Sequence, residues 1–569
     1  MPAAQAGWGL VLLLVGYFFV VSIVTVSPPR LPAPLDVLFT VGVGVVMAQL
    51  RLPRALRRRP AVIDLTGQSA AAVPASSSAG AVALSITTGT ASRTRSRLHG
   101  PGPVPEPEVQ PGGQRLPRWM RSAGFGSLFV VLATVAQLLR QPGVPSWNTV
   151  LAEDGAVFLT DALNHPLGAT LLRPYEGYLH VVPRLLAAVA SAFPLRYAAA
   201  LLTGGSAVVV SLLALYVWSR SRSVFCTRWA RAVVVAFLLL LPTAGYETNA
   251  SVNNLHWYLD FACFWDCLAR TRHRREVAIA AVIVAAAALC DPLVGVFLPL
   301  VAVRAVRRFR QLPRRSTSLL VPVALVAGLA LQVGAGLSDR APRQFVPVSW
   351  LDLPGTYGFR VAGSLLVGDR YLVRLFHGYG LVFAYLCLLV AVVAVVVAVL
   401  VTRDRVRVQV LVAAGYSVLL FVVPLLLRGT SIYLDRRRIR LDGSRYMIVP
   451  ALLLVVALVL AVDRPGEHAR PSRPPVLRPV LILLVGVLLA VNYSVHSVRA
   501  AGPGWGQTVA AAQQRCLRSA GQPGDVGAST NSRWATPVGP GQALLPVAPM
   551  VRGSRVSQWN VVVDCRRLT

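Results

Sequence analysis

Two groups of charged side chains have the residue types and spacing for chemistry, in a chain with only 23 acidic residues among 569. Glu153 and Asp154 are adjacent in SWNTVLAEDGAVFLTDAL. Adjacent carboxylates can bind a divalent ion such as Mg²⁺ or Mn²⁺, or one can act as a base while the other holds the metal. Residues 428–445, RGTSIYLDRRRIRLDGSR, concentrate arginines, whose guanidinium groups bind phosphate oxygens through paired hydrogen bonds. These arginines are Arg428, Arg436, Arg437, Arg438, Arg440 and Arg445.

Each group also has a simpler interpretation. A carboxylate pair at the N-terminus of a helix is stabilised by the helix dipole and needs no ligand. Arginines beside a membrane can contact lipid headgroups instead of a substrate. Spacing alone leaves both alternatives open.

The elements that must position these residues are membrane helices. The chain is 55% hydrophobic and 14% charged, with a mean hydropathy of +0.60. Its apolar runs predict an all-α polytopic membrane protein with about thirteen transmembrane helices and with juxtamembrane helices on the outer side. The net charge of +33 comes from arginines that lie mostly in short segments beside apolar runs, where orientation in the membrane explains them. We therefore expect no binding of nucleic acid.

Four regions follow from composition. Residues 1–50 are predicted to form a transmembrane hairpin, and residues 51–119, rich in Arg, Pro, Ala and Ser, a disordered cytoplasmic linker. Residues 120–495 are predicted to form the membrane domain. Residues 496–569 form a small extracytoplasmic module that we expect to be rich in β structure.

The distribution of arginine sets the orientation. It places the chain in the plasma membrane with a cytoplasmic N-terminus and an extracytoplasmic C-terminus. Residues 428–445 then lie outside, against the positive-inside rule, which favours an anionic ligand for them. His180 and Arg184 interrupt residues 177–193, so that this segment is predicted to lie on the outer surface as a helix too short to span. A break at Asp291 and Pro292, with Asp291 as a helix cap, is predicted to divide residues 277–303 into two short helices.

Seven cysteines divide into two classes. Five lie in or beside membrane helices without the spacing of metal ligands, and we interpret them as small buried hydrophobic residues. Cys516 and Cys565 are the two in the tail, and an oxidising compartment would join them in a disulfide.

The order of these features resembles the GT-C superfamily of integral membrane glycosyltransferases. That superfamily includes protein O-mannosyltransferases, the aminoarabinose transferase of lipid A and the mycobacterial arabinosyltransferases. The likeness covers about residues 120–495. It consists of a first span, an outer loop with the acidic pair and RPYEGYLHVVPRLL, a second outer loop GYETNASVNNLHWYLD, and a late outer basic loop that ends in GSRYMIVP.

The resemblance implies a transfer reaction. Asp154 or Glu153 would be the base that activates a hydroxyl of a glycan, lipid or protein acceptor. The donor would be a polyprenyl-phosphate-linked sugar in the membrane lipid, and Arg436, Arg437, Arg438, Arg440 and Arg445 would bind its phosphate. Further donor or metal contacts would come from Glu247, His256, His180 and Arg184, although His256 beside Trp257 also fits a simple interfacial pair.

A transporter or flippase for a lipid-linked saccharide is the alternative from another class. It would also use a basic site and broken helices. The lack of an internal repeat and the small number of ionisable residues deep within the spans argue against it.

Overall fold

The computed structural model describes residues 123–268, 274–311, 319–338, 351–428, 443–463, 477–494, 497–519, 541–550 and 557–568. The predicted hairpin at residues 1–50 and the predicted linker at residues 51–119 lie outside them. Arg436, Arg437, Arg438 and Arg440 also lie outside them, so that their assignment to a phosphate site stays a prediction.

Helices make up most of the described chain. The first half contains α1 Ala123–Leu138, α2 Thr160–Asn164, α3 Leu167–Thr170, α4 Val181–Ser191, α5 Ala198–Arg220, α6 Arg228–Leu240, α7 Leu255–Leu268 and α8 Arg274–Ala288. The second half contains α9 Leu298–Gln311, α10 Leu320–Ser338, α11 Asp352–Tyr357, α12 Ser364–Leu366, α13 Asp369–Val401, α14 Asp404–Arg428, α15 Ile448–Asp463, α16 Leu477–Val491 and α17 Trp505–Ser519. Two strands follow, β1 Gln542–Met550 and β2 Ser557–Asp564.

Shorter turns connect these helices. The 3₁₀ turns are Ser146–Asn148, Leu195–Tyr197, Ser221–Ser223, Pro242–Ala244, Pro292–Phe297, Ser444–Met447 and Cys565–Arg567. Two segments are π-helical, Asp154–Leu159 and Gly358–Gly363. π-Helical turns are rare overall, but those that occur are often at functional sites. The π-helical turn that begins at Asp154 therefore makes the acidic pair a candidate site.

Five helical segments in the described chain are long and apolar enough to cross a membrane, so the class predicted from composition is confirmed. They are Leu195–Ser223, Leu320–Ser338, Asp369–Val401, Asp404–Leu426 and Ser444–Asp463. The predicted number of about thirteen is not reached within the described residues, because a span needs about 20 residues. Four other apolar helices there are shorter: Gly124–Leu138, Val181–Ser191, Pro292–Val306 and Pro479–Val491.

Helix α15 lies at the centre of the helices. In its segment 89% of the apolar stretch is buried within the protein, against 22% for α13. A helix that is apolar on every side must be covered either by protein or by lipid. Helix α15 is covered by protein, whereas α13 leaves Leu386, Leu389 and Val393 about half exposed, as expected for a lipid-facing helix.

Two local predictions are confirmed. Helix α4 has 11 residues and rises only about 16 Å, so it is too short to span, as the polar His180 and Arg184 indicated. Helix α8 ends at Ala288, and the chain restarts at Pro292. The Asp291 carboxylate accepts a hydrogen bond from the Leu293 amide at 2.8 Å, which is the predicted cap.

The C-terminal tail combines helix α17 with the antiparallel β1–β2 hairpin. The predicted disulfide between Cys516 and Cys565 is present, with the Cα atoms 5.5 Å apart. The described part of the tail shares a hydrophobic core with the segment around the acidic pair. Val547 and Val561 of the hairpin are buried in one cluster with Val150 and Phe158. The reason is that a two-stranded hairpin cannot bury its apolar face alone.

Candidate active site

Asp154 is the buried, hydrogen-bonded member of the acidic pair. It is 2% exposed, and both of its carboxylate oxygens accept hydrogen bonds. The amide of Val252 donates to Oδ2 at 3.0 Å, and the amide of Asn253 and the hydroxyl of Ser251 donate to Oδ1 at 2.7 and 3.3 Å. Asp154 therefore connects the segment after α1 to residues 249–254, below called the amide loop.

The electrostatics of Asp154 are those of a buried carboxyl. Burial raises its pKa to about 6, and the negative charge of Glu153 adds to this effect. The hydrogen bonds from Asn253 and Val252 and the positive charge of Arg499 act in the opposite direction. The amide loop thus offsets part of the cost of burying a carboxylate.

Gly155 allows the tail hairpin to approach the acidic pair. A Cβ atom at this position would lie 2.8 Å from Val150 Cγ1, 3.0 Å from Val561 Cγ2 and 3.1 Å from Val547 Cγ1. The amide of Ala548 donates to the carbonyl oxygen of Val150 at 2.9 Å. The hairpin therefore packs against the helical segment that contains Glu153 and Asp154.

Glu153 has a different environment from its neighbour. Its side chain is 17% exposed, and its Oε1 atom lies 3.7 Å from Nη1 of Arg445, whose side chain is 30% exposed. The acidic pair and the end of the basic loop, separated by most of the membrane domain in sequence, are thus brought together. Glu153 is the carboxylate of the pair that remains accessible.

Glu247 fixes the backbone at Arg445. Its Oε1 atom accepts a hydrogen bond from the Arg445 amide at 2.9 Å and one from the Ser444 hydroxyl at 3.3 Å. Gly443, directly before them, has φ +74°, a conformation that glycine adopts without strain. The Arg445 guanidinium lies over the ring of Tyr446, 5.4 Å from its centroid. Glu247 therefore belongs with the arginine site, as a group that positions Arg445.

The two candidate histidines lie together in an adjoining aromatic cluster. Their ring centroids are 6.2 Å apart, and His180 lies between Tyr178 at 4.2 Å and Phe158 at 5.3 Å. His256 contacts Trp257 at 4.5 Å. Trp257 in turn contacts Tyr446, with ring centroids 5.3 Å apart, so that the cluster adjoins the residue next to Arg445.

The hydrogen bonds of the two histidines differ. His256 Nδ1 lies 2.7 Å from the carbonyl oxygen of Asn253, and Nε2 lies 3.6 Å from Asp291 Oδ2. Because a carbonyl only accepts, Nδ1 carries a proton. Both ring nitrogens of His180 are buried without a hydrogen-bond partner in the described chain. Burial first, then His256 and Arg184, lower the pKa of His180 well below its ordinary value, so that it is neutral at pH 7.

Arg184 is occupied by an ion pair. Its Nη1 atom donates to Asp161 Oδ2 at 2.8 Å, and its side chain is 2% exposed. The exposed Arg173 reaches the other oxygen of Asp161 at 3.1 Å. The structure thus places Arg184 in a pair that links α2 and α4, apart from the contact between Glu153 and Arg445.

The described residues do not fit the predicted divalent cation. No group of three or more His, Cys, Asp and Glu side chains in the described part of the chain has the arrangement of a metal site. The oxygens of Asp154 are used by the amide loop, and Glu153 faces Arg445. We therefore derive no catalytic step through a metal.

Sequence reasoning missed two parts of this site, the role of the backbone amides of the amide loop and Arg499. The loop binds Asp154 mainly through backbone amides, which every residue except proline has, so no side-chain pattern marks it. Arg499 lies in the tail with no recognisable motif around it. Its burial would have been the signal, and only the tertiary structure shows that burial.

Comparisons with known proteins give one similarity. No protein-family profile and no curated protein sequence matches the chain. Among solved structures, the cryo-EM structure of the arabinofuranosyltransferase AftD from mycobacteria is similar, with a TM-score of 0.38 and 15% identity. The match covers 70% of this chain and 30% of that one, so this chain spans less than a third of AftD. A likeness at this TM-score does not determine the fold.

Proposed function

We propose that this protein is a membrane glycosyltransferase. It moves a sugar from a polyprenyl-phosphate donor to a hydroxyl of an envelope acceptor at the outer face of the plasma membrane. The observation that carries the proposal is the 3.7 Å approach of Glu153 and Arg445, each partly accessible, at a place where two outer loops meet the start of a membrane helix.

Glu153 is the general base of the proposed reaction. It takes the proton of the acceptor hydroxyl while the acceptor oxygen bonds to the anomeric carbon of the donor. The bond from that carbon to the phosphate oxygen breaks, and the electron pair leaves with the polyprenyl phosphate. Displacement in a single step inverts the anomeric centre. Asp154, which is 2% exposed and fully hydrogen-bonded, supports this assignment of the base to its neighbour.

Arg445 binds the donor phosphate in the proposed mechanism. Its guanidinium stabilises the charge that develops on the leaving group, as fixed donors do in other transfer reactions. In the unbound protein this guanidinium faces Glu153. A phosphate that draws it away frees the carboxylate to accept a proton, which makes donor binding a condition for an effective base.

The test is transfer in proteoliposomes from radiolabelled polyprenyl-phosphate mannose and, in parallel, polyprenyl-phosphate arabinose. A membrane extract of cells that lack the protein supplies the acceptor. Glu153→Gln is expected to lower kcat by about 100-fold to 10,000-fold, because it removes the base and keeps the shape of the side chain.

Glu276→Gln is the matched control. Glu276 is 21% exposed and also pairs with an arginine, Arg222, at 2.6 Å, but it lies on α8 outside this site. Near-normal transfer by the Glu153 variant would contradict the proposal. Movement of an intact lipid-linked sugar across the bilayer, without consumption of the donor, would support a transporter instead.

A further inference from the structure

Arg499 binds the amide loop through backbone carbonyls, whereas Asp154 binds it mainly through backbone amides. Its Nη1 atom donates to the carbonyl oxygen of Ala250 at 3.1 Å, and its Nη2 atom donates to that of Asn249. The side chain is 2% exposed, so it is a fully buried arginine. The two carbonyls immediately precede the three residues that donate to Asp154.

The amide loop needs such support because its backbone is strained. Ala250 has φ +53°, in the left-handed region that non-glycine residues rarely adopt. This conformation is maintained only when the surroundings fix it. The paired hydrogen bonds of a planar guanidinium fix both carbonyls, and the turn between them directs the next amides towards Asp154.

Charge gives Arg499 a second role. It is the positive group that lowers the pKa of Asp154. Burial lowers the pKa of Arg499, and the negative charge of Asp154 acts against that effect by raising it. The other charged groups around Asp154 are engaged elsewhere or oppose it. Glu153 raises the pKa of Asp154, Arg184 on α4 pairs with Asp161, and the Asp564 carboxylate at the end of β2 accepts from the Arg566 amide.

We propose that Arg499 is a positioning residue, which shapes the amide loop and keeps the Asp154 carboxylate ionised in its buried place. Because Glu153 precedes Asp154, Arg499 also sets the position of the catalytic base, and this last step rests on the proposed function. The C-terminal tail is then part of the active site through Arg499 on one side and the β1–β2 hairpin on the other.

The first test measures thermal stability and needs no activity. The melting temperature of the purified full-length protein is measured at pH 5 and pH 8 for the wild type and for Arg499→Gln. The loss caused by Arg499→Gln is expected to be larger at pH 8, where Asp154 is ionised and needs the positive charge. In an Asp154→Asn background, this pH-dependent part of the loss is expected to disappear.

Two further variants separate charge from shape. Arg499→Lys keeps the charge and loses the paired hydrogen bonds, so its loss of melting temperature is expected to be similar at pH 5 and pH 8. It also replaces Arg499→Gln in the comparison if the glutamine variant does not fold. Arg518→Gln, an exposed arginine of α17, is the control and is expected to change neither value. An equal loss for Arg499→Gln at both pH values, or an unchanged pH dependence in the Asp154→Asn background, would overturn the proposal.

The transfer assay then tests the link to catalysis. The acid limb of the pH–rate profile of Arg499→Gln is expected to shift to higher pH by about one unit. Its kcat should be lowered and its donor KM nearly unchanged. A rise in donor KM alone would overturn the link to Glu153. Stability results as expected, together with no transfer by the wild type from any donor, would reject the proposed function and leave the positioning of Asp154 intact.

Discussion

Glu153 follows the short apolar helix α1, whereas Arg445 lies in the turn that precedes the central helix α15, and their side chains approach to 3.7 Å. A partly exposed ion pair of this length contributes little to stability, typically below about 1 kcal/mol. The geometry is more informative about function, because each member can be separated from the other by a ligand. In the proposed mechanism, the donor phosphate competes for the arginine, and the acceptor hydroxyl competes for the carboxylate.

Arg445 is predicted to contribute donor affinity. Arg445→Gln should weaken binding of polyprenyl-phosphate mannose or arabinose by roughly 10-fold to 150-fold, since a charge-assisted hydrogen bond contributes about 1.5 to 3 kcal/mol. Arg445→Lys should recover part of this loss. Arg405→Gln, at an exposed position of α14, is the control in the same titration. The triple neutralisation of Arg438, Arg440 and Arg445 should lose more, and unchanged affinity in it would favour contact with lipid headgroups.

Glu247 is predicted to act through Arg445. Glu247→Ala leaves the Arg445 amide and the Ser444 hydroxyl without their acceptor, which should cost about 1 to 3 kcal/mol in stability and weaken donor binding. Glu247→Gln retains an acceptor oxygen and should be milder. Melting temperature and donor titration are the measurements, with Glu276→Ala as the control. Equal donor affinity in the alanine variant and the wild type would exclude this role.

The pH dependence of stability should contain a contribution from Asp154. Its pKa is about 6 in the folded protein against an ordinary value of 3.8, so the folded state binds this proton more tightly than the unfolded state. The stabilisation is complete below about pH 3.8 and is lost as the pH rises through about 6, a change of roughly 3 kcal/mol. His180, whose pKa is lowered, acts in the opposite direction as the pH falls.

The measurement for Asp154 is therefore a difference between variants. Melting temperatures from pH 4 to pH 8 are compared for the wild type and Asp154→Asn, which removes this one titration. The melting temperature of Asp154→Asn relative to that of the wild type should rise steadily between pH 4 and pH 7. Asp404→Asn is the control, at an exposed position where φ of +49° suits asparagine. A constant difference across the range would show that Asp154 does not titrate as described.

The disulfide is predicted to support the active site as well as the tail. Cys516 and Cys565 are 49 residues apart, and opening such a loop costs about 4 kcal/mol in the chain-entropy model. Because β1 and β2 pack behind Gly155, reduction should lower both the melting temperature and transfer. Reductant should have no further effect on the double variant Cys516→Ser, Cys565→Ser. Finding both cysteines as free thiols in freshly isolated membranes would contradict the outside location of the tail.

The orientation of the chain can be tested with an impermeant maleimide. A cysteine at Leu172, which is 55% exposed in a segment predicted to lie outside, should react in intact cells. The native Cys226, exposed in the turn between α5 and α6, should react only after permeabilisation. Cys226→Ser identifies its signal. Labelling of Cys226 in intact cells would reverse the orientation of the loops on either side of α5.

The amino-acid sequence by itself determined the class of the protein and several local features. Apolar runs of spanning length have few solutions other than membrane helices, because lipid leaves no partner for unpaired backbone groups. Asp291 and Pro292 specified a helix break through local chemistry, and the pairing of Cys516 with Cys565 followed from their being the two cysteines of the tail. These features depend on short-range rules or on composition, which the sequence displays directly.

Only the tertiary structure decided the different environments of Glu153 and Asp154. Neighbours in sequence, they differ because one faces Arg445 and the other is enclosed by the amide loop, and both partners come from distant segments. The sequence also gave no sign of Arg499, which acts on backbone carbonyls. Side-chain patterns report local periodicity and charge, whereas burial and backbone donors depend on which helices pack together, and that packing is a property of the whole fold.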